Sequence, residues 1–130
     1  MQLRTQILKE GELYQHDIVG LIDVPHVKLF VEHFWQTHAG KFAEEVNIIW
    51  NCLDCEFPMV NYQDAKELAE SMRGGNAVYH PGKTAIVIKS GFMTHVANVF
   101  VDILGKDYVR TPRVFNDLKR AFDFLSIENG

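Results

Sequence analysis

The stretch from Glu45 to Asp54, EVNIIWNCLD, decides how this chain is to be read. A strand with one face in water alternates apolar and polar residues, whereas this run is apolar almost throughout. It has the signature of a strand covered on both faces. TAIVIK, Thr84 to Lys89, is a second run of the same kind. Two doubly covered strands require helical layers above and below a sheet.

Outward from these strands the period becomes helical. Val27, Phe30, Val31, Phe34 and Trp35 recur at three- and four-residue spacing, with Pro25 suited to a first turn, Lys28, Glu32 and Gln36 opposite, and Gly40 suited to the C-terminal cap. A second helix has Asn61 as its cap, Asp64 in its first turn and an apolar stripe of Ala65, Leu68, Ala69 and Met72, and it stops at RGG (73–75). A third helix follows Ser90. At ~100° per residue its apolar side chains, among them Met93, Val96, Phe100 and Leu104, cover about 200° of the circumference. So wide an arc calls for cover from neighbouring helices or a second chain. A short strand, RVF (113–115), leads through Asn116 or Asp117 into a last helix with Leu118, Ala121, Phe122 and Leu125 inward.

Before all of these, TQILKEGELY and HDIVGLIDV read as two strands joined by a turn at Glu10–Gly11. The expected fold is therefore α/β: a mostly parallel sheet of about five strands with an antiparallel N-terminal edge, and about four helices, in a single domain over residues 1–130.

That order resembles the SpoIIAA-like branch of the STAS fold, the family of anti-sigma-factor antagonists and sulphate-transporter domains. The central strand ending in Asp (IIWNCLD), the strand running into an apolar helix (KTAIVIKSGFMTHVANVF) and the closing VFNDLKRAFDFL carry the resemblance, which spans about Glu12 to Leu125. It implies a domain without enzyme activity that binds a protein partner, a nucleotide or an apolar ligand. In one respect the chain departs from the pattern. Antagonists of this kind carry a phosphorylatable serine in D-S-[ST]-G after the central strand, and the corresponding LDCEFPMVNYQDA has no Ser or Thr. The serine phospho-switch is expected to be absent.

Composition narrows the function. With 47% hydrophobic and 23% charged residues the chain is that of an ordinary globular domain, and a net charge of -4 with thirteen scattered basic residues argues against nucleic acid as a partner. RTPR, Arg110 to Arg113, is the nearest approach to a basic patch and reads as a solvated loop before a strand. The N-terminus has no secretory signal pattern and the longest uncharged stretch, SGFMTHVANVFV, falls short of the ~18 residues of a membrane span. A cytoplasmic location with reduced cysteines is expected.

Cys52 and Cys55, the two cysteines, form a C-x-x-C. EFPMV separates Cys55 from the cap of the next helix, so neither sulfur is expected to feel a helix dipole. In a regular strand their Cα atoms would lie about 10 Å apart and face opposite ways, too far for a disulfide. No second ligand pair exists for zinc. Cys52 thus reads as a core residue and Cys55 as a thiol at the strand exit, with a thiol-dependent enzyme the remaining alternative. The six histidines are dispersed, and His33 and His38, five apart, do not share a helix face.

Parallel sheets collect ligands at the carboxyl ends of their strands. That edge would gather Asp54, Cys55, Ser90, Thr94 and His95 as ligand- or partner-binding residues, together with Asp23, Gly91 and Asn116. Without a G-x-S-x-G elbow, Asp54, Ser90 and His95 do not read as a hydrolase triad. No catalytic residue, metal or cofactor is expected. The chain reads as a regulatory binding domain for a protein partner, with a homodimer through the third helix, or alternatively as a carrier or sensor of a small apolar ligand.

Overall fold

A computed structural model, describing residues 1–56, 62–73, 80–89, 91–105 and 108–126, shows nine elements. They are β1 (Gln2–Lys9), β2 (Leu13–Leu21), α1 (Val24–Thr37), β3 (Asn47–Glu56), α2 (Tyr62–Arg73), β4 (Gly82–Val87), α3 (Phe92–Leu104), β5 (Arg110–Phe115) and α4 (Leu118–Ser126). The five strands form one sheet in the order β1-β2-β3-β4-β5. β1 and β2 pair antiparallel across the expected turn, and every other pair is parallel.

Helices α1, α2 and α3 cover one face. Tyr14, His16 and Ile18 of β2 and Ile48, Trp50 and Cys52 of β3 point into that layer, where they meet Val31, Phe34 and Trp35 of α1, Ala69 of α2 and Ala97 and Leu104 of α3. Among the described residues, α4 covers the opposite face. Ala121, Phe124 and Leu125 pack there on Ile49, Ala85 and Val87. The alternation along β3 and β4 thus sends apolar side chains into two separate cores, which is why both runs are apolar throughout.

Local chemistry sets the joints. The Asp23 carboxylate accepts the His26 N–H at 3.4 Å as the N-cap of α1, and Asp117 accepts the Arg120 N–H at 2.8 Å at the start of α4. Gly82 opens β4 at φ 145°, with Val46 O only 2.0 Å from where a Cβ would stand. Only glycine lets the two backbones approach so closely. Lys83 is buried beneath α4 and donates to Phe124 O at 2.8 Å, placing a cation on the last turn of that helix.

One expectation changes. RTPR is not a loop: Arg110 begins β5 and is 3% exposed. Its guanidinium donates to the carbonyls of Val46, His80 and Lys83 and to Thr84 Oγ1 at 2.6–3.0 Å, and lies 5.2 Å from the Trp35 ring. Burial pulls its pKa down to about 10, so the cation is retained at neutral pH for the acceptors it supplies. The wide apolar arc of α3 meets α2 and β5 of the same chain, the first of the two kinds of cover expected for it. Among the described residues the large exposed apolar side chains are Ile7, Leu8, Val19, Leu21 and Leu29, none of them on α3. The caps expected at Asn61 and Ser90 lie outside the described residues.

Candidate functional site

Where α1, α2 and α3 span the sheet they leave a cavity of about 130 Å³. Its floor is Ile18, Cys52, Ile86 and Ile88, and its roof Val27 and Val31 of α1, Leu68 and Met72 of α2, and Met93, Val96 and Phe100 of α3. The space exists because the helices present alanine toward the floor: Ala65 and Ala97 line it, and Ala69 beside them is fully buried. The walls are almost wholly apolar. An apolar cavity of roughly 150 Å³ stays dry and takes a benzene-sized molecule, so this one suits an apolar ligand of that size. Ile22, Val24 and Asp64 also border an open depression at the start of α1, where Asp23 and His26 add polar groups at a mouth.

Beside the cavity the two thiols sit differently from their expected places. Asn51 pairs with Asp17, but Asp54 pairs with Val19 and Cys55 with Gly20, so three residues of β3 are spent against two of β2. This bulge returns Cys55 to the face of His16 and Ile18, and both cysteines join the core under the helices. The Cys52 thiol donates to Cys55 Sγ, which lowers the Cys55 pKa against the opposing effects of its own burial and Asp54; that contact and burial together push the Cys52 thiol well up. Cys55 Sγ–H in turn reaches Ile18 O at 3.3 Å. Cys52 is buried and Cys55 half-buried, and both are free thiols.

The residues expected at the strand ends do not form one constellation. Asp54 is exposed on the α4 side of the sheet, whereas Cys55 faces the helices. Thr94 and Asn116 do meet: Asn116 Nδ2 donates to Ile88 O at 2.9 Å and to Thr94 Oγ1 at 3.1 Å, and Thr94 Oγ1 donates to Lys89 O at 2.9 Å. These bonds tie the exit of β4 to α3 and to the end of β5. His95 is exposed on α3, Gly91 is its N-cap, and Ser90 lies outside the described residues. Among the described residues no three His, Cys, Asp or Glu side chains are placed to hold a metal ion, and no helix is long and apolar enough to cross a membrane.

Two polar features have no counterpart in the sequence reading. On the uncovered face of β1 and β2, Asp17 accepts amide hydrogens from Gln6 at 2.5 Å and from Gln15 and Asn51 at 2.9 Å. Burial alone would raise its pKa, but the three bonds hold it below the ordinary carboxylate value. Directly behind it, His16 is fully buried, bonded through Nδ1 to Thr5 Oγ1 at 2.9 Å, with Nε2 unpartnered among the described residues. His38 packs against Tyr14, Phe34 and Phe42, and its Nδ1 has no partner among the described residues.

A five-stranded mixed sheet with an antiparallel β1–β2 edge, three helices on one face and one on the other, is the SpoIIAA-like, or STAS, fold. The chain is similar over 95% of its own length and 95% of the other to the solved structure of the anti-sigma factor antagonist SpoIIAA in its unphosphorylated form, with 16% identity and a TM-score of 0.55. No protein-family model matches the chain, and no curated protein is significantly similar to it.

Proposed function

We propose that this chain is a non-enzymatic regulatory domain that acts by binding, and that the ligand its own geometry suits is a small apolar molecule held between the sheet and helices α1–α3. The observation that carries this reading is the apolar cavity of about 130 Å³ with its mouth beside Asp23, His26 and Asp64. Thr94, one of the residues at the strand ends, is occupied in tying β4 to α3. Toluene provides the test. Saturating toluene should raise the melting temperature of the full chain, and Ala65→Leu, which fills the cavity, should abolish that shift without lowering the starting stability much. An unchanged melting temperature in saturating toluene would count against the reading, and native mass spectrometry of freshly purified protein should reveal a retained ligand.

A protein partner is the second reading, favoured by the likeness to an anti-sigma factor antagonist. Asp54 and His95, both exposed near the strand ends, would then meet the partner, and their replacement by alanine should weaken its binding while leaving the toluene response intact. A homodimer is the simplest form of this reading. Sedimentation equilibrium that gives a monomer at every concentration removes it.

A further inference from the structure

The bulge in β3 changes what the C-x-x-C can do. Cys55 opposes Gly20 of β2 while Asn51 opposes Asp17, so Asn51 and Cys55 are separated by three steps of the partner strand instead of four. At ~3.3 Å per step this shortens the run from Asn51 to Cys55 to about 10 Å from about 13 Å and draws Cys55 back toward Cys52, in the direction that a disulfide, with Cα atoms within about 7 Å, requires. Both side chains lie on the same face in one core cluster, near enough for each thiol to shift the pKa of the other.

We propose that Cys52 and Cys55 are a reversible peroxide-responsive pair, with Cys55 the thiol that a hydroperoxide oxidises and Cys52 the thiol that resolves it into an intramolecular disulfide. The roles follow from the surroundings. Cys55 is the more exposed of the two, and Cys52, with a raised pKa, keeps its proton and donates it toward Cys55 Sγ. That contact stabilises a Cys55 thiolate more than its burial and Asp54 oppose it.

The step balances. The Cys55 thiolate attacks one peroxide oxygen, the O–O bond breaks, and the departing hydroxide takes a proton to leave as water, with Cys55 now a sulfenic acid. Cys52 sulfur then bonds to Cys55 sulfur, the S–O bond breaks, and the lost thiol proton leaves with the hydroxyl as a second water. Two thiols are oxidised by two electrons and one hydroperoxide is reduced. Because Cys52 is also part of the cavity floor, the same bond pulls one wall residue toward the strand exit.

Hydrogen peroxide added to the reduced full chain, followed by alkylation under denaturing conditions, reads the reaction directly. The expected product is a monomer that takes no alkyl groups, has lost the mass of two hydrogens in the peptide holding both cysteines, and is restored by dithiothreitol. Cys52→Ser should stop at a sulfenic acid on Cys55 that a dimedone probe captures. In Cys55→Ser, Cys52 should oxidise at least about tenfold more slowly than Cys55 does in Cys52→Ser. A wild-type chain that accumulates sulfinic acid on Cys55 without the two-hydrogen loss overturns the proposal. So does a disulfide-linked dimer, or equal oxidation rates in the two variants. The wild-type mass measurement decides even if a variant folds poorly.

Discussion

Acidification from pH 7 to pH 5 should cost this fold about 2 kcal/mol through His16 alone. The ring is fully buried, with the rings of Phe30, Phe34 and Trp50 at 5.1, 4.5 and 4.6 Å between centroids. Burial is the main cause that drives its pKa from 6.5 down to about 3; Asp17 opposes this weakly, and His38 and Arg110 reinforce it. The folded chain therefore holds this histidine neutral, while the unfolded chain protonates it below 6.5. Above that pH neither state carries the proton and no stability is lost. Below it the unfolded state gains the proton and the folded state does not, at about 1.4 kcal/mol per pH unit until the pH approaches 3. Over the interval from pH 7 to 5 this comes to about 2 kcal/mol. Urea unfolding at both pH values, in the wild type and in His16→Leu, isolates the contribution, because the other groups are common to both chains. The variant should lose about 2 kcal/mol less than the wild type over that interval, whatever its starting stability. Equal losses in the two proteins, or a His16 ring proton that titrates near 6.5 by NMR, would refute the reasoning. Asp17 adds a separate loss at lower pH: its folded pKa is depressed, so its contribution vanishes as the pH falls from 3.8 through the folded value.

Gly82→Ala should lower the urea midpoint by at least about 2 kcal/mol equivalent, because its Cβ would stand 2.0 Å from Val46 O at a φ of 145°. A change within about 0.5 kcal/mol would mean that the β3 entry can retreat from β4. Arg110→Lys should be nearly as damaging as Arg110→Met, at about 3 kcal/mol or more. A single ammonium does not reproduce the fork that supplies Val46, His80, Lys83 and Thr84. Recovery of most of the stability in the lysine variant, measured by chemical denaturation, would show that charge alone matters there.

Much of the fold was legible because hydrophobic period is a local property. The runs at Asn47–Glu56 and Gly82–Val87 announced strands with two covered faces, and Val27, Val31 and Phe34 announced a helix with one. Arg110 was misread for the opposite reason. Nothing local in RTPR reveals that carbonyls of three distant residues will accept from one guanidinium. The bulge in β3 was equally hidden, since WNCLDCE contains no glycine to mark it. That concealment put Cys55 on the wrong face. The expected site at the strand ends rested on a rule for sheets whose strand order reverses and opens a crevice. This sheet runs β1 to β5 without reversal, and the opening at the exit of β2 is the depression beside Leu21, Asp23 and His26. Its cavity lies instead under the helices, where Ala65, Ala69 and Ala97 leave room. The sequence displayed those alanines only as part of an apolar stripe.

The uninterrupted strand order also bears on how the chain assembles. Each parallel strand docks on the one made immediately before it, closing loops of roughly thirty residues in turn, so the sheet can grow from one edge without waiting for a distant partner. α4 breaks this regularity, because it packs across β3, β4 and β5 and so needs all three strands to complete its contact. Until it does, Ile49, Ala85 and Val87 form a bare apolar surface on an otherwise complete sheet. A chain with its first core formed and α4 undocked would therefore expose an apolar face open to aggregation.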